Sequence, residues 1–132
     1  DTELDDFELN ANHIVDRIWL GSEEAAHTSL EVLCKHNVKY ILVAGFGISA
    51  LHEKNDKSPI KYKKLKAIDL GVYDITKDVI ASINWIEQCL NESKDGNLLI
   101  HCARGKSRSA SICIGYLMWK KNISFQDAKY LV

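Results

Sequence analysis

Short apolar runs separated by amphipathic stretches repeat along most of the chain. Residues 14–20 predict two short strands near a turn at Asp16. The nearly continuous apolar run at residues 38–44 predicts a strand that is buried on both faces. Alternation over residues 62–68 and the apolar run at residues 97–101 predict two further strands. The pattern therefore supplies about five strands for a central sheet.

Helical periodicity fills most of the intervals between these strands. We predict one helix over residues 22–37, in which Thr28 and Glu31 form a capping box. Asp74 is the predicted cap of a long helix that ends near Ser93. One face of this long helix repeats apolar side chains at helical spacing, namely Ile75, Val79, Ile83, Ile86 and Leu90.

Two more helices occupy the end of the chain. Residues 109–121 are apolar nearly all round, which predicts a central, buried helix. Ser124 is the predicted cap of the final helix. Strands that alternate with helices favour an α/β fold, with a mostly parallel central sheet flanked by helices. In such folds, functional sites form where the carboxyl ends of strands meet the N-termini of helices.

The composition fits one domain and excludes several classes of protein. The chain has 132 residues, of which 46% are hydrophobic and 27% are charged, and its net charge is −1. These values allow one core and argue against a nucleic-acid-binding protein. The longest apolar runs are too short to span a membrane. Five of the first eight residues are acidic, so we predict an acidic N-terminal arm over residues 1–12. No basic segment of a signal peptide is visible there.

The cysteines and histidines give no metal-binding pattern. The four cysteines contain no C-x-x-C pair and the five histidines lack ligand spacing, so no metal or other cofactor is expected. Cys34, Cys89 and Cys113 are predicted to be small buried hydrophobic residues. Four cysteines in a chain this rich in apolar residues indicate a reducing compartment. We expect a monomer in the cytoplasm, with the nucleus as an additional location.

The segment between the last strand and the buried helix carries the candidate chemistry. It reads His-Cys-Ala-Arg-Gly-Lys-Ser-Arg-Ser from His101 to Ser109. A loop in this position directs backbone N–H groups and the positive end of a helix dipole into one concavity, which can hold an oxyanion. Gly105 permits the turn, and the planar fork of Arg108 can grip two phosphate oxygens. Cys102 is expected to be a thiolate in this field and a nucleophile toward phosphorus.

This string resembles the H-C-x5-R-S/T loop of the cysteine-dependent phosphatases, and its Ser-Arg-Ser ending is most similar to the dual-specificity phosphatases. Residues 17–21 resemble the opening strand of that family, residues 115–118 its central helix and residues 124–128 the start of its next helix. The resemblance implies the α/β phosphatase fold, with the catalytic domain at residues 13–132. Because family members continue through another helix, we expect the C-terminal end of this domain to be truncated.

The resemblance also implies a two-step mechanism. The Cys102 thiolate attacks phosphorus to form a cysteinyl-phosphate, which water then hydrolyses, while the Ser109 hydroxyl stabilises the leaving thiolate. Arg108 holds the equatorial oxygens. His101 orders the loop and tunes the thiolate, with direct proton transfer as the alternative role. The predicted phosphate-binding residues are Ala103, Arg104, Gly105, Lys106, Ser107 and Arg108.

A general acid must protonate the departing oxygen, because an alkoxide or phenoxide is a poor leaving group. The candidates are Asp69, Asp74 and Asp78. Asp69 directly follows a predicted strand and can overhang the loop. Asp74 and Asp78 belong to the start of the next helix, where capping and dipole compensation explain them. The family's acid lies on the corresponding loop, so the resemblance also selects Asp69.

The short chain leaves no room for the added loops with which tyrosine-specific family members build a deep pocket. A shallow pocket is expected to accept phosphotyrosine and phosphoserine/phosphothreonine on protein substrates. Two basic residues lie within the loop, Arg104 and Lys106, and residues 54–66 contain six lysines and one acidic residue. These positive charges leave phosphoinositide or RNA 5′-phosphate substrates as alternatives. Such lysines also form an ordinary solvated surface. A phosphate-binding module without turnover is a further alternative, and the presence of Cys102 and Arg108 argues against it.

Overall fold

The computed structural model describes residues 10–45, 50–65, 76–102 and 107–132. The elements within these residues follow one another along the chain in a β/α order. They are β1 (Ala11–Val15), β2 (Ile18–Gly21), α1 (Glu23–Ala26), α2 (Leu30–Lys35), β3 (Val38–Ala44), β4 (Lys61–Leu65), α3 (Thr76–Glu92), β5 (Asn97–His101), α4 (Ser107–Lys121) and α5 (Phe125–Leu131).

The strands form one sheet in the order β1-β2-β5-β3-β4. Strands β2, β5, β3 and β4 run parallel to one another, and β1 pairs antiparallel with β2. This arrangement confirms the predicted α/β fold with a mostly parallel central sheet flanked by helices. Because β5 lies in the middle of the sheet, the chain that follows it emerges at the centre of the carboxyl edge.

Helices cover both faces of the sheet, which explains the nearly continuous apolar run of β3. On one face, Leu42, Ile100 and Tyr116 belong to a core that also packs against α3. On the other face, Ile41 packs with Leu33 of α2 in a second core. A strand buried from both sides needs apolar residues at consecutive positions rather than at alternate ones. The sequence-based prediction for residues 38–44 is therefore confirmed.

The two short strands predicted near Asp16 are also confirmed. Asp16 occupies the left-handed region with φ 50° at the turn between β1 and β2. The next residue, Arg17, donates from Nη1 to the carbonyl oxygen of Gly96 at 2.9 Å and from Nη2 to that of Leu90 at 2.8 Å. These two bonds tie the turn to the end of α3 and to the start of β5.

Some predicted features extend outside the described residues. Residues 1–9 of the predicted acidic arm lie outside them, and Ala11 and Asn12 belong to β1, so the arm stays a prediction. The strand predicted over residues 62–68 corresponds to β4, and residues 66–68 lie outside the described part.

The single helix predicted over residues 22–37 is wrong, because two short helices, α1 and α2, occupy this stretch. Ser29 has an extended backbone with φ −60° and ψ 150°, and its hydroxyl accepts a hydrogen bond from the backbone N–H of Val32 at 3.2 Å. A serine that bonds a nearby N–H in this way competes with the helical ladder and starts a new helix. Ser29, rather than the predicted Thr28, is therefore the cap.

The remaining helices match their predictions closely. Helix α3 spans Thr76–Glu92, and its predicted cap Asp74 lies outside the described residues. Helix α4 is buried or half-buried from its first described side chains through Leu117, but its last turn is exposed. The Ser124 hydroxyl caps α5 by accepting from the N–H of Asp127 at 3.1 Å. In the described part of the chain, no helix combines the length and apolar content needed to cross a membrane.

Candidate active site

The site is built where the central strand β5 ends and the central helix α4 begins. Cys102 directly follows His101, the last residue of β5, and α4 begins at Ser107. The first four N–H groups of a helix have no partner within the helix, and the dipole of a helix makes its N-terminus positive. The carboxyl end of a buried strand and the N-terminus of a long helix thus face the same place, which suits the binding of an anion.

The structure brings the predicted nucleophile and the predicted serine together. The Cys102 Sγ atom lies 3.2 Å from the Ser109 Oγ atom, within hydrogen-bond distance for sulfur. Cys102 is 3% exposed and Ser109 is fully buried, so bulk water competes little for this contact. When the sulfur is a thiolate it can only accept, and the serine hydroxyl is then the donor.

The other predicted site residues are described only in part. Arg108 lies half-buried in the first turn of α4, one residue before Ser109. Asp69 lies outside the described residues, as do the loop residues 103–106. The phosphate-binding loop and the general acid therefore stay predictions.

Asp78, the third candidate acid, lies in the first turn of α3. Its backbone carbonyl accepts a hydrogen bond from the Ser82 hydroxyl at 2.6 Å. A carboxylate in the first turn of a helix compensates the positive end of the dipole, as the sequence suggested for this residue.

His101, the residue before the predicted nucleophile, is enclosed between neighbouring strands. It is fully buried and lies in register with Gly21 of β2 and Val43 of β3. Burial, and after it the nearby His27, lowers the pKa of His101 to about 4, against a smaller opposing effect of the Cys102 backbone. The imidazole is therefore uncharged at neutral pH.

His27 is a residue of the site that the sequence did not reveal. Its ring centroid lies 6.0 Å from that of His101, with the two planes at 73° in an edge-to-face arrangement. The two residues are far apart in the chain, and their contact depends on how α1 packs against β5. No local pattern marks such a tertiary contact.

The remaining cysteines differ from one another in burial. Cys89 and Cys113 are buried as predicted, and burial raises the pKa of each thiol to about 12, so both remain protonated at neutral pH. Cys34 is exposed, so its predicted burial is wrong. Helix α2 is short and buries Leu33 alone, which leaves the next position facing solvent. Among the described residues, no three histidine, cysteine, aspartate or glutamate side chains cluster as metal ligands do.

Comparison with known proteins places this arrangement in a family. The sequence model described as "Dual specificity phosphatase, catalytic domain" matches residues 18–132. Mouse dual specificity protein phosphatase 19 is 37% identical over 115 residues, which cover 87% of this chain and 49% of the relative. Human dual specificity protein phosphatase 9 is 31% identical over 119 residues, which cover 90% of this chain and 30% of the relative. The chain thus spans half or less of the length of these two relatives.

Solved structures agree with the sequence match. The crystal structure of human DUSP28 has a TM-score of 0.77 at 20% identity, with 92% of this chain and 77% of that chain covered. The human tyrosine phosphatase-like serine/threonine/tyrosine-interacting protein has a TM-score of 0.79 at 27% identity, with 92% and 81% covered. The first likeness supports the fold, and the family match covers most of the sequence. The chain belongs to the dual specificity phosphatase catalytic domain family.

Proposed function

We propose that this chain hydrolyses phosphate monoesters on phosphotyrosine and phosphoserine/phosphothreonine proteins through a cysteinyl-phosphate intermediate. The observation that carries the proposal is the contact between Cys102 and Ser109 at the N-terminus of α4. A buried thiol, a hydroxyl that can donate to it and a helix N-terminus meet at one point. Family membership supports the same reaction.

In the first step, the Cys102 thiolate attacks phosphorus in line with the departing oxygen. The P–O bond to the substrate breaks as the P–S bond forms, and the Asp69 carboxylic acid gives its proton to the alcohol or phenol that leaves. Arg108 and the N–H groups of residues 103–108 hold the three equatorial oxygens. The products of this step are the dephosphorylated protein and cysteinyl-phosphate.

In the second step, water attacks the phosphorus of cysteinyl-phosphate. The Asp69 carboxylate accepts a proton from the water, the P–S bond breaks, and its electron pair returns to Cys102 as a thiolate. The Ser109 hydroxyl, 3.2 Å from the sulfur, donates a hydrogen bond to the thiolate as it forms. His101 is uncharged and orders the loop from behind. We expect neither step to need a metal, so EDTA should leave turnover unchanged.

Two alternatives are separated by substrate assays. Phosphoinositide or RNA 5′-phosphate hydrolysis is not favoured, since the similar sequences carry the names of protein phosphatases. Binding without turnover deserves a direct test, because one similar structure is named phosphatase-like and interacting. Turnover of phosphotyrosyl peptides, phosphothreonyl peptides, phosphoinositides and a 5′-phosphorylated RNA, measured side by side, decides among these functions.

The nucleophile is tested by Cys102→Ser, with Cys34→Ser as the matched control on an exposed cysteine. Because a hydroxyl is far less ionised than a thiol, we expect hydrolysis of an aryl phosphate to fall by roughly 10³-fold or more, with phosphate-ester binding retained. The control should keep the activity of the parent. Activity of Cys102→Ser within tenfold of the parent would exclude Cys102 as the nucleophile.

We further propose that the chain acts as a monomer in signalling in the cytoplasm, and also in the nucleus. All four cysteines are free thiols, which suits a reducing compartment. Size-exclusion chromatography and fractionation of cells that express the whole protein would test these two statements.

A further inference from the structure

A pair of histidine rings lies directly behind the nucleophile. The fully buried His101 ring interacts weakly with the Cys102 backbone, and among the described residues neither of its ring nitrogens has a further hydrogen-bond partner. Buried polar atoms are usually held by hydrogen bonds. Besides that interaction, the ring is held by packing against the described residues, and His27 supplies an aromatic contact at 6.0 Å.

Close packing of α1 against the sheet brings His27 to this position. A β-carbon on Gly21 would lie 3.2 Å from the β-carbon of Ala25 and 2.7 Å from Leu99 Cδ1, so glycine lets the helix approach without displacing Ala25 or the Leu99 side chain. Ala25 and Ala26 of α1 are each 2% exposed in the resulting interface. The backbone N–H of His27 then donates to the carbonyl of Glu23 at 2.9 Å at the end of the helix.

The turn after His27 is held from a second direction. The carbonyl oxygen of Thr28 accepts a hydrogen bond from Nε2 of His52 at 2.9 Å. The backbone N–H of His52 in turn donates to the Tyr62 hydroxyl of β4 at 3.2 Å. The chain on both sides of the His27 ring is thus anchored, and the ring has a fixed support from which to contact His101.

We propose that His27 is a positioning residue for the reaction of Cys102, since its ring holds the His101 ring and thereby the backbone from which the thiol projects. Edge-to-face rings attract each other and resist reorientation. Without the His27 ring, the His101 ring gains space beside it and the next residue, Cys102, loses a fixed position. Small displacements of a nucleophile slow a reaction strongly without weakening binding equally.

The test compares His27→Ala, which removes the ring, with His27→Phe, which keeps an aromatic ring without its nitrogens. His13→Ala is the matched control, because the His13 ring also contacts an aromatic ring, that of Trp19 at 5.1 Å, but His13 is exposed. For His27→Ala we expect kcat to fall about tenfold with KM within about twofold of the parent. His27→Phe should recover at least half of the lost kcat, and His13→Ala should keep the parent's kcat.

A kcat for His27→Ala equal to that of His13→Ala, or a loss confined to KM, would overturn the proposal. Failure of His27→Phe to recover kcat would exclude the aromatic contact with His101 as the basis of the role and would also overturn the proposal. If His27→Ala does not fold, His27→Leu replaces it, and equal kcat values for the Leu and Phe variants would refute the idea.

This inference rests on the proposed function, and a second readout separates the two. The rate at which iodoacetamide alkylates Cys102, followed by mass spectrometry, reports on the thiol without any turnover. A parent chain that fails to hydrolyse any phosphate ester refutes the proposed function alone. Equal alkylation rates in the parent and in His27→Ala would refute the positioning role of His27.

Discussion

Ser109→Ala removes the hydrogen bond that we propose assists the second chemical step. The substitution removes a hydroxyl whose oxygen lies 3.2 Å from Cys102 Sγ at a site where both residues are buried. A hydrogen bond to a charged group contributes about 1.5–3 kcal/mol. If the thiolate loses this amount as it leaves phosphorus, the hydrolysis step slows by about 10- to 150-fold, since 1.36 kcal/mol corresponds to a factor of ten.

The kinetic pattern distinguishes this role from a general loss of activity. The constant kcat/KM reports steps up to formation of the intermediate, whereas kcat includes its hydrolysis. For Ser109→Ala we expect a stopped-flow burst of about one equivalent of aryl alcohol, followed by slow turnover, because cysteinyl-phosphate accumulates. Ser111→Ala, two residues further along α4, is the control and should show neither effect. An unchanged kcat, or a loss in kcat/KM equal to that in kcat without a burst, would refute the assigned role.

Three further predictions address the acid, the thiolate and the buried histidine. Asp69→Asn should slow turnover by roughly 10²-fold, with a smaller loss for substrates that have acidic leaving groups. A larger leaving-group-dependent loss in Asp74→Asn would show that Asp74 is the general acid instead. Brief peroxide treatment should oxidise Cys102 before the other cysteines, and vanadate should protect it. If mass spectrometry finds another cysteine oxidised first, the result would contradict a thiolate at Cys102. The pKa of His101 lies near 4 in the folded state and near its ordinary value of 6.5 in the unfolded chain, so the free energy of unfolding should fall as the pH is lowered from about 6.5 to about 4. Urea unfolding should show a shallower fall for His101→Gln, and equal slopes would contradict this origin.

The sequence predicted those features that depend on local pattern or on a short motif. Residues 38–44 predicted a strand buried on both faces because Lys39 is the one charged residue among them. The string from His101 to Ser109 predicted a phosphate-binding site between a strand and a helix, and in the structure β5 ends and α4 begins within this string. The structure then placed Cys102 beside Ser109, as the motif required.

Other features could not be predicted, because they depend on competition between close alternatives or on tertiary contacts. Both Thr28 and Ser29 carry a hydroxyl that could cap a helix. Only the backbone geometry shows that Ser29 is the cap of α2. The exposure of Cys34 follows from the short length of α2, which the predicted single helix concealed. The contact of His27 with His101 requires the close approach of α1 that Gly21 permits, and this packing leaves no periodic signal.

The most direct test of the account is to trap the covalent intermediate. The Ser109→Ala variant is mixed with excess aryl phosphate, quenched in acid within the burst, digested and examined by peptide mass spectrometry. The account predicts a phosphate adduct on the peptide that contains Cys102, at a yield that follows the burst amplitude. Turnover with no adduct, or with the phosphate on a residue other than Cys102, would contradict the claim that Cys102 is the nucleophile.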